Sequence, residues 1–490
     1  MTNTDIEKKI GRATKWSGVT EIISKLISPI VNIFLARLLS PEAFGIAATI
    51  TMVITFAEIF TDAGFQKYLI QHEFSDDDEL NKNTNVAFIT NLVLSIILCA
   101  LIFIFRDNIA TAVGSPGLGN SISIASVLII VAAFSSIQMA RFKRAFDFKT
   151  LFYARMGASV IPIVVTIPLA FILRNYWALI IGNFICQLFT AIILTVKSKW
   201  KPSLFYSLKI LREMFSFSAW TLLESISIWL TTNIGIFVVG SQLNEYYLGI
   251  YKTSMSTVNS YMSIITAAIT PVLFSALSRY QNDDIAFKKT YYSFQKLTAA
   301  LVFPMGVGIF LYKDLVTSLL LGSQWSDASG FVGLWGLTSS FAIVFSYFSS
   351  EVYRSKGNPK ISLFTQLIQL AFIIPTLLIS VRYDFTTLYV SRSLVRIQAI
   401  LTAIIIMKSI YKFKITDVFK NVLPMIISSV VMGGCGYGLQ QVSDSLIWQI
   451  ASIIICAIIY FTVLLGCFPS TRKAILENEK FKGIIQKINK

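Results

Sequence analysis

The chain has 490 residues, of which 55% are hydrophobic and only 14% are charged, and its formal net charge is +16. Soluble globular proteins carry about 25% charged residues, so the composition excludes a soluble, a disordered or a disulfide-rich secreted chain. It is typical of an integral membrane protein. One histidine, His72, and five cysteines without a CxxC motif provide no zinc or haem framework. We expect no metal and no cofactor.

Apolar stretches of about 20 residues, each long enough to cross the hydrocarbon core as a helix, recur along the whole chain. The sequence therefore predicts an all-α polytopic membrane protein with about 14 transmembrane helices. In chain order the predicted spans are 14–36, 44–67, 84–105, 119–140, 153–173, 176–196, 215–239, 249–275, 293–312, 328–351, 361–381, 386–407, 420–440 and 446–468.

The basic residues alternate with this pattern of spans. With the N-terminus in the cytoplasm, 32 of the 42 lysines and arginines lie in inner segments and 5 in outer connections. Because inner loops of membrane proteins are enriched in Lys and Arg, we expect both termini in the cytoplasm. The charges form no continuous basic face, so nucleic acid is excluded as a partner.

The longest inner connection, 197–214, divides the spans into two sets. Leu204, Leu208, Leu211 and Phe215 share one helical face opposite basic residues, which predicts an interfacial helix. The expected organisation is an N-terminal lobe of six helices, this linker, a C-terminal lobe of six helices, two further helices and a basic tail. Their bounds are 1–196, 197–214, 215–407, 408–468 and 469–490.

The two six-helix sets show weak internal similarity. A shift of 204 residues pairs Gly45 with Gly249 and Leu39 with Leu243, and it places LSPEAFGI opposite LNEYYLGI. Parallel repeats of this kind are typical of transporters, whose substrate site lies where the repeats meet.

Several spans collect polar residues on one face, and some of these residues are cations. An ionisable side chain at the bilayer centre costs about 3 kcal/mol on insertion scales, so each one needs a partner or a function. We predict a cationic, hydrogen-bonding substrate site. The alternatives are hydrogen bonding between helices and, for Lys25, an ion pair with Glu21 one turn earlier. The predicted substrate-binding residues are Lys25, Asn32, Lys252, Ser256, Asn259, Arg392 and Arg396.

Three carboxylates lie on polar faces of the second and seventh spans: Glu58, Asp62 and Glu224. The chain lacks the GxxxxGK[ST] loop of ATP-driven proteins, so an ion gradient is the expected energy source. These carboxylates are the candidates for binding H⁺ or Na⁺. The alternative is that Glu58 or Glu224 pairs with Lys25 or Lys252 and only balances charge. The sixth span adds polar residues, Asn183 and Gln187 among them.

Two motifs suggest chemistry that their context does not support. The acidic run Asp76–Glu79 has no surrounding soluble fold, so we expect a solvated loop. The GGCGYG run at 433–438 follows no strand, so we expect helix packing at Gly434 and Gly438. With one histidine, in a loop, no catalytic triad can be assembled, and we expect no enzyme.

Longer segments resemble a known family. LARLLSPEAFGIAA (35–48), FTDAGFQKYLIQ (60–71) and ARFKRAFDFKTL (140–151) resemble the first half of bacterial polysaccharide flippases of the Wzx type. LGIYKTSMSTVNSYMSIITAAITPVLFSALSRYQND (248–283), LVTSLLLGSQW (315–325) and GNPK (357–360) resemble the second half. This polysaccharide transporter family belongs to the MOP exporter superfamily.

The resemblance implies two six-helix lobes with two appended helices in the bacterial cytoplasmic (inner) membrane. It implies alternating access that moves undecaprenyl-pyrophosphate-linked oligosaccharides across that membrane for O-antigen, capsule or exopolysaccharide synthesis. Membrane lipids, and the polymerase and chain-length proteins of such a pathway, are the further implied partners. No strict signature of the family carries a residue role over to this chain.

Two other functions stay open. A multidrug or other ion-coupled exporter of the same superfamily would favour a cavity led by acidic groups, whereas the cations listed above favour an anionic substrate. A membrane oligosaccharide polymerase or ligase would need a sizeable outer loop, and the sequence offers none.

Overall fold

The computed structural model describes residues 3–62, 64–469 and 472, with side chains described for all of these except 3–15, 17, 19, 22, 216–221 and 359. In these residues the regular secondary structure is helical and contains no strand, which confirms the predicted all-α class. The basic tail predicted at 469–490 lies outside the described residues, apart from 469 and 472.

The first part of the chain forms long helices interrupted by short ones, with a π-helical turn, Pro162–Thr166, between α8 and α9. The helices are α1 (Asn3–Leu38), α2 (Pro41–Asp62), α3 (Phe65–Gln71), α4 (Asp77–Ile104), α5 (Arg106–Ala112), α6 (Gly119–Ala125), α7 (Val127–Arg144), α8 (Phe148–Ile161), α9 (Ile167–Leu173), α10 (Trp177–Lys197) and α11 (Leu208–Gln242).

The second part continues in the same way, with a 3₁₀ segment, Ser323–Ala328, before α15 and a π-helical turn, Ile343–Tyr347, after it. The helices are α12 (Glu245–Arg279), α13 (Asp284–Leu311), α14 (Lys313–Leu320), α15 (Ser329–Ala342), α16 (Ser349–Ser355), α17 (Pro359–Ser380), α18 (Phe385–Ser409), α19 (Ile415–Gln440) and α20 (Leu446–Cys467).

Within the described residues, 13 helical segments are long and apolar enough to cross a membrane, from Pro41–Asp62 to Leu446–Cys467. They coincide with the second to the fourteenth predicted span. The first predicted span, 14–36, falls inside α1, which is helical from Asn3 to Leu38. The chain is therefore a multi-pass membrane protein with about 14 spans.

The prediction of an interfacial helix in the linker 197–214 is wrong over most of that segment. Residues 198–207 are not helical, and Leu208 begins the long helix α11. Pro202 removes a backbone donor within this segment, and Trp200 anchors it because its ring is buried beside Phe88 and Met214. Leu204, expected on an apolar face, is almost fully exposed.

The acidic run after Ser75 is the start of a helix and not a loop. Asp76 caps α4 because its Oδ1 accepts the Glu79 backbone N–H at 2.7 Å, while Glu79 Oε2 accepts the Ser75 N–H at 2.6 Å. This arrangement is similar to a capping box, although Glu79 accepts from Ser75 and not from the N-cap residue Asp76. Acidic side chains in the first turn also interact favourably with the helix dipole. The run therefore has a structural role.

The glycines of the GGCGYG run lie in α19, but their contacts differ from the prediction. A Cβ built on Gly434 or Gly438 would meet no atom within 4 Å, so the predicted packing at these two positions is wrong. The close contact is at Gly436, where a Cβ would lie 2.8 Å from Cys456 Sγ and against Leu311. Helical periodicity placed the contact on the wrong face of α19.

The chain divides into two compact units. Unit 1 comprises the residues up to Thr253 together with Leu377–Phe385, and unit 2 comprises Ser254–Thr376 and the chain from Thr386 onward. These bounds differ from those of the lobes expected from the sequence, so the lobe division stays a prediction.

Each unit has its own apolar core. In unit 1, Phe65, Phe88 and Ile137 bring α3, α4 and α7 together. In unit 2, α19 and α20 pack against α13, and the Tyr460 hydroxyl donates to the Ala300 carbonyl at 3.0 Å. The last two helices are thus part of the core of unit 2.

The first turns of α2 and α12, both in unit 1, cross with their backbones in direct contact. A Cβ built on Gly45 would lie 2.8 Å from the Glu245 carbonyl carbon, and one built on Gly249 would lie 2.6 Å from the Pro41 carbonyl carbon. The contact is reciprocal, because the 204-residue shift relates Pro41 to Glu245 as it relates Gly45 to Gly249. Only glycine permits this approach.

Candidate functional site

Helix α2 presents Glu58 to a small polar cavity in unit 1. The cavity has a volume of about 40 Å³, and its polar lining comes from Thr51, Thr55 and Glu58 of α2 and from Asn183 and Gln187 of α10. Glu58 is hydrogen-bonded to the Gln187 side chain. Glu58 Oε1 and Gln187 Oε1 are nevertheless buried without a hydrogen-bond partner among the described residues. Two acceptor oxygens thus remain unsatisfied at one cavity.

Asp62, one turn further along α2, lies in a filled hydrogen-bond network. Its Oδ1 accepts from the Ser136 hydroxyl of α7 at 3.2 Å, and Gln66 donates to it as well. Ser136 Oγ in turn accepts from Gln66 Nε2 at 3.1 Å, and Lys143 attracts the carboxylate electrostatically. Hydroxyl and amide donors with a nearby cation keep a buried carboxylate satisfied.

The third candidate carboxylate, Glu224 of α11, forms an ion pair that the sequence did not suggest. Its Oε2 lies 2.7 Å from Lys67 Nζ of α3, and both side chains are nearly half exposed. The pairing that we considered for Glu224, with Lys25 or Lys252, is therefore wrong. Nor is Glu58 paired with either lysine among the described residues.

Lys25 forms the local ion pair that we considered as an alternative. Its Nζ lies 3.8 Å from Glu21 Oε1, while Arg155 of α8 lies 3.4 Å from Glu21 Oε2. Two cations thus share one carboxylate and leave an excess positive charge. Lys25 and Glu21 are more than a third exposed, so the pair is weak.

Asn32 lines a second polar cavity of unit 1, of about 280 Å³. Ser28 of α1, Thr166 of the π-helical turn and Asn183 of α10 line it too. The turn matters here because π-helical turns shift the register of a helix and are frequent at functional sites. Asn183 borders both polar cavities and makes them neighbours.

Lys252 and Ser256 lie one turn apart on α12, and both are half-buried. The described part of the chain contains no ion pair with Lys252. An ammonium group in a membrane-spanning helix without a carboxylate partner is costly.

In unit 2, Arg392 and Arg396 of α18 converge on one aromatic ring. The guanidinium carbons lie 5.0 and 3.5 Å from the ring centroid of Trp335, which is fully buried. The Trp335 indole N–H donates to Asn259 Oδ1 at 3.1 Å, and Arg396 donates to the Ser339 hydroxyl. The structure thus unites three predicted residues, from α12 and α18, on α15.

Sequence reasoning missed the residues that organise this cluster. Trp335 and Ser339 lie in the apolar stretch 328–351, where one tryptophan and a few serines are ordinary core residues. The only available signal was their spacing of four residues, which places them on one face of α15. Which other helix that face contacts cannot be read from one sequence.

The site has no metal framework in residues 3–62 and 64–469, because no three His, Cys, Asp or Glu side chains there lie close enough to hold one. What the arrangement offers is hydrogen bonding, guanidinium groups on an aromatic ring and carboxylates inside membrane-spanning helices. Such groups bind and release polar ligands in a low-dielectric setting.

Comparisons with known proteins agree with the resemblance stated from the sequence motifs. A sequence profile of the family described as "Polysaccharide biosynthesis protein" matches residues 34–330. An uncharacterized membrane protein in the cps region of Klebsiella pneumoniae is 22% identical over 99% of each chain. The succinoglycan biosynthesis transport protein ExoT of Rhizobium meliloti (strain 1021) is 23% identical over 69% of this chain and 68% of its own.

A solved structure shares the fold. The lipid II flippase MurJ, in an inward closed conformation, superposes with a TM-score of 0.74 at 16% identity, over 93% of this chain and 99% of MurJ. The family resemblance and the predicted fold class are thereby confirmed.

Proposed function

Because the chain belongs to the polysaccharide biosynthesis protein family, we propose that it moves undecaprenyl-pyrophosphate-linked oligosaccharides across the bacterial cytoplasmic membrane. The observation that carries the proposal is the Arg392–Arg396–Trp335 cluster with Asn259. Guanidinium groups bind phosphate oxygens through forked N–H pairs, and the exposed amide of Asn259 suits a sugar hydroxyl. A transporter of lipid-linked glycans needs both kinds of contact.

The substrate explains why polar groups are kept in apolar helices. A pyrophosphate–sugar head cannot enter hydrocarbon without losing its hydration, so its path must supply replacement hydrogen bonds and positive charge. Lys25, Asn32, Lys252 and Ser256 are the further residues that we propose for this path. The polyprenyl chain is apolar and stays in the lipid.

We assign the energy source to an ion gradient, because the chain contains no nucleotide-binding loop. Glu58, Asp62 and Glu224 are the carboxylates available for the coupling ion, H⁺ or Na⁺. Alternating access would then let the glycolipid head enter from the cytoplasm and leave on the other side. The charge distribution of the loops favours cytoplasmic termini.

The two alternatives fit the chain less well. A drug exporter for cationic compounds would have no use for Arg392 and Arg396 as binding groups. A polymerase or ligase needs a large outer loop, whereas the connections between helices from α1 to α20 are all short. Polymerase and chain-length proteins are proposed as partners in the same pathway.

The test uses purified protein in liposomes that contain a polyprenyl-pyrophosphate oligosaccharide in both leaflets. A membrane-impermeant glycosidase added outside trims the glycan fully only if inner-leaflet molecules reach the outer face. We expect the wild type to accelerate full trimming and Arg396→Gln to slow it about tenfold, as the loss of a charged contact predicts.

The matched control is Arg382→Gln, which removes an exposed arginine outside the helices and should leave trimming unchanged. No acceleration by the wild type, together with uptake of a cationic dye, would replace the proposal with a multidrug exporter.

A further inference from the structure

Helix α13 of unit 2 contains a proline, and one of its backbone carbonyls therefore lacks a helical partner. In an α-helix each carbonyl accepts from the N–H group four residues later. The residue four positions after Ala300 is Pro304, which has no backbone N–H. Ala300 is buried, and a buried carbonyl without a donor costs free energy. The sequence of α13 thus requires a donor from another element at this point.

The donor comes from α20. The fully buried Tyr460 hydroxyl donates to the Ala300 carbonyl at 3.0 Å. Beside this bond lies a mostly apolar cavity of about 360 Å³, to which α13 contributes Pro304 and Gly308 and α20 contributes Cys456. The packing of α20 on α13 is therefore incomplete at the proline, and an apolar cavity provides no water as a substitute donor. The Tyr460 hydroxyl thus completes the interrupted turn of α13.

The turn of α13 that follows Pro304 is packed tightly against α15. A Cβ built on Gly306 would lie 2.5 Å from Ser340 Cβ and 3.0 Å from the Gly336 carbonyl oxygen. A Cβ built on Gly336 would lie 2.6 Å from Ile309 Cγ2. Because protein interiors are close-packed and transmit strain, a change in the bend of α13 at Pro304 must displace this part of α15.

The same part of α15 carries the aromatic ring of the arginine cluster. Trp335 and Ser339 directly precede Gly336 and Ser340 in the sequence. Arg396 lies 3.5 Å from the Trp335 ring centroid and donates to the Ser339 hydroxyl. Both kinds of contact have strict distance requirements. A small displacement of α15 therefore changes how Arg396 is held.

We propose that Tyr460 is a positioning residue for the Arg392–Arg396–Trp335 cluster. Its hydroxyl replaces the N–H that Pro304 lacks and fixes the bend of α13, which in turn holds α15 and the guanidinium groups in place. The inference rests on the proposed function, because it takes the cluster as the site for the anionic head of the glycolipid. It gives α20, to which the proposed function assigns no role, a part in substrate binding.

The test measures the affinity of purified full-length variants in detergent for a polyprenyl-pyrophosphate oligosaccharide. Tyr460→Phe keeps the ring and removes the hydroxyl, and we expect it to lower the affinity about fivefold, as for residues that act on a site through packed neighbours. The matched control, Tyr437→Phe, removes the hydroxyl of an exposed tyrosine on α19 and should bind like the wild type. Wild-type affinity in Tyr460→Phe would overturn the inference.

Two double-mutant comparisons separate positioning from a general loss of stability. Pro304→Ala restores the N–H that the Ala300 carbonyl lacks, so Tyr460→Phe should not change the affinity further in that background. Arg396→Gln removes the group that is positioned, so Tyr460→Phe should have no added effect there either. An undiminished effect of Tyr460→Phe in either background would mean that the two sites are independent, and it would contradict the proposed chain of contacts.

A further measurement needs no glycolipid. Hydrogen exchange reports local opening of a helix, and the amides of residues 335–340 should exchange faster in Tyr460→Phe than in the wild type. The variant with both Pro304→Ala and Tyr460→Phe should exchange like Pro304→Ala alone. Unchanged exchange in Tyr460→Phe would speak against any link to α15. If Tyr460→Phe is not monodisperse, Pro304→Ala should restore monodispersity to it, and failure to do so would also overturn the inference.

Failure of this inference is distinguishable from failure of the proposed function. Equal glycolipid affinity of the wild type and Tyr460→Phe would leave the flippase standing and remove the positioning role. Faster exchange in Tyr460→Phe, together with no glycolipid binding by the wild type, would keep the link from Tyr460 to α15 and remove the proposed substrate.

Discussion

The charged side chains inside α2 of unit 1 and α18 of unit 2 have opposite sign and different kinds of partner. In unit 1, α2 carries Glu58 and Asp62, whose partners are hydroxyls and amides, and one carboxylate oxygen is left open. In unit 2, α18 carries Arg392 and Arg396, which lie over the buried ring of Trp335. On the function proposed above, the carboxylates of α2 are the candidates for the coupling ion, and the guanidinium groups of α18 are the candidates for binding the anionic head group.

The units also differ in how closely their helices approach at glycine. In unit 1 a Cβ on Gly249 would meet the Pro41 backbone, whereas in unit 2 a Cβ on Gly436 would meet the side chains of Cys456 and Leu311. Backbone atoms of a helix start cannot move independently, but side chains can change rotamer. The same substitution should therefore cost different amounts in the two units.

The largest effect is expected for Gly249→Ala, which should destabilise the protein by about 3 kcal/mol because its methyl group overpacks a backbone contact. Gly436→Ala should cost only about 1 kcal/mol, since the side chains can yield. The measurement is the apparent free energy of unfolding in a detergent titration. Gly434→Ala, in open space on α19, is the control and should be neutral or stabilising. Equal losses of unfolding free energy for Gly249→Ala and Gly436→Ala would contradict this difference between the units.

A second effect, on stability, is expected for Asp62→Ala in unit 1. The substitution leaves the Ser136 hydroxyl without its acceptor, which costs about 2 kcal/mol. Asp62→Asn should cost less because an amide oxygen still accepts from Ser136. Asp107→Ala removes an exposed carboxylate of the same unit and should change the unfolding free energy very little. A stable Asp62→Ala protein would mean that the network does not hold α2 to α7.

In unit 2 the expected effect of substitution is on the affinity for the substrate. Arg396→Lys keeps the charge but loses the planar, forked guanidinium group that matches phosphate oxygens. We expect the apparent affinity for the glycolipid to fall about tenfold. The control is Arg382→Lys, at an exposed arginine outside the helices, which should leave this affinity unchanged. Equal changes at both positions would contradict a role for Arg396 in substrate binding.

Much of the fold follows from hydropathy, because an apolar run of about 20 residues has one stable conformation in a bilayer. The predicted spans overlap the observed helices, and some ends agree closely, as at 446–468 against Leu446–Cys467, whereas α13 begins at Asp284 against a predicted start at 293. The ends of the helices were less predictable where capping side chains determine them. Asp76 extends α4 into a run that was predicted as a loop, and Trp200 is buried beside Phe88 in the segment that was predicted as an interfacial helix.

For the candidate site, the sequence predicted which helix face carries each residue but not which residues of other helices it contacts. Helical periodicity put Glu58 and Asp62 on one face of α2, yet the two carboxylates meet different partners, Gln187 and Ser136. Arg396 was selected by its charge, whereas Trp335, its stacking partner, looks like a core residue in the sequence. A period gives the direction of a side chain relative to its own helix only, so the neighbouring helix remains unknown.

The smallest effect on stability is expected for the Lys67–Glu224 ion pair. This pairing distinguishes Glu224 from the buried carboxylates of α2. Both side chains are nearly half exposed although Nζ and Oε2 are 2.7 Å apart, and exposed ion pairs contribute about 0.5 kcal/mol. A double-mutant cycle with Lys67→Ala and Glu224→Ala should give a coupling energy of that size, and it should shrink as salt screens the charges.

The same cycle with Asp78→Ala and Lys82→Ala, an exposed pair at 2.7 Å within α4, serves as the control. A salt-independent coupling of about 2 kcal/mol or more would mean that the pair is desolvated. Glu224 would then resemble Glu58 and Asp62, and the carboxylates of unit 1 would have to be treated as one coupled set.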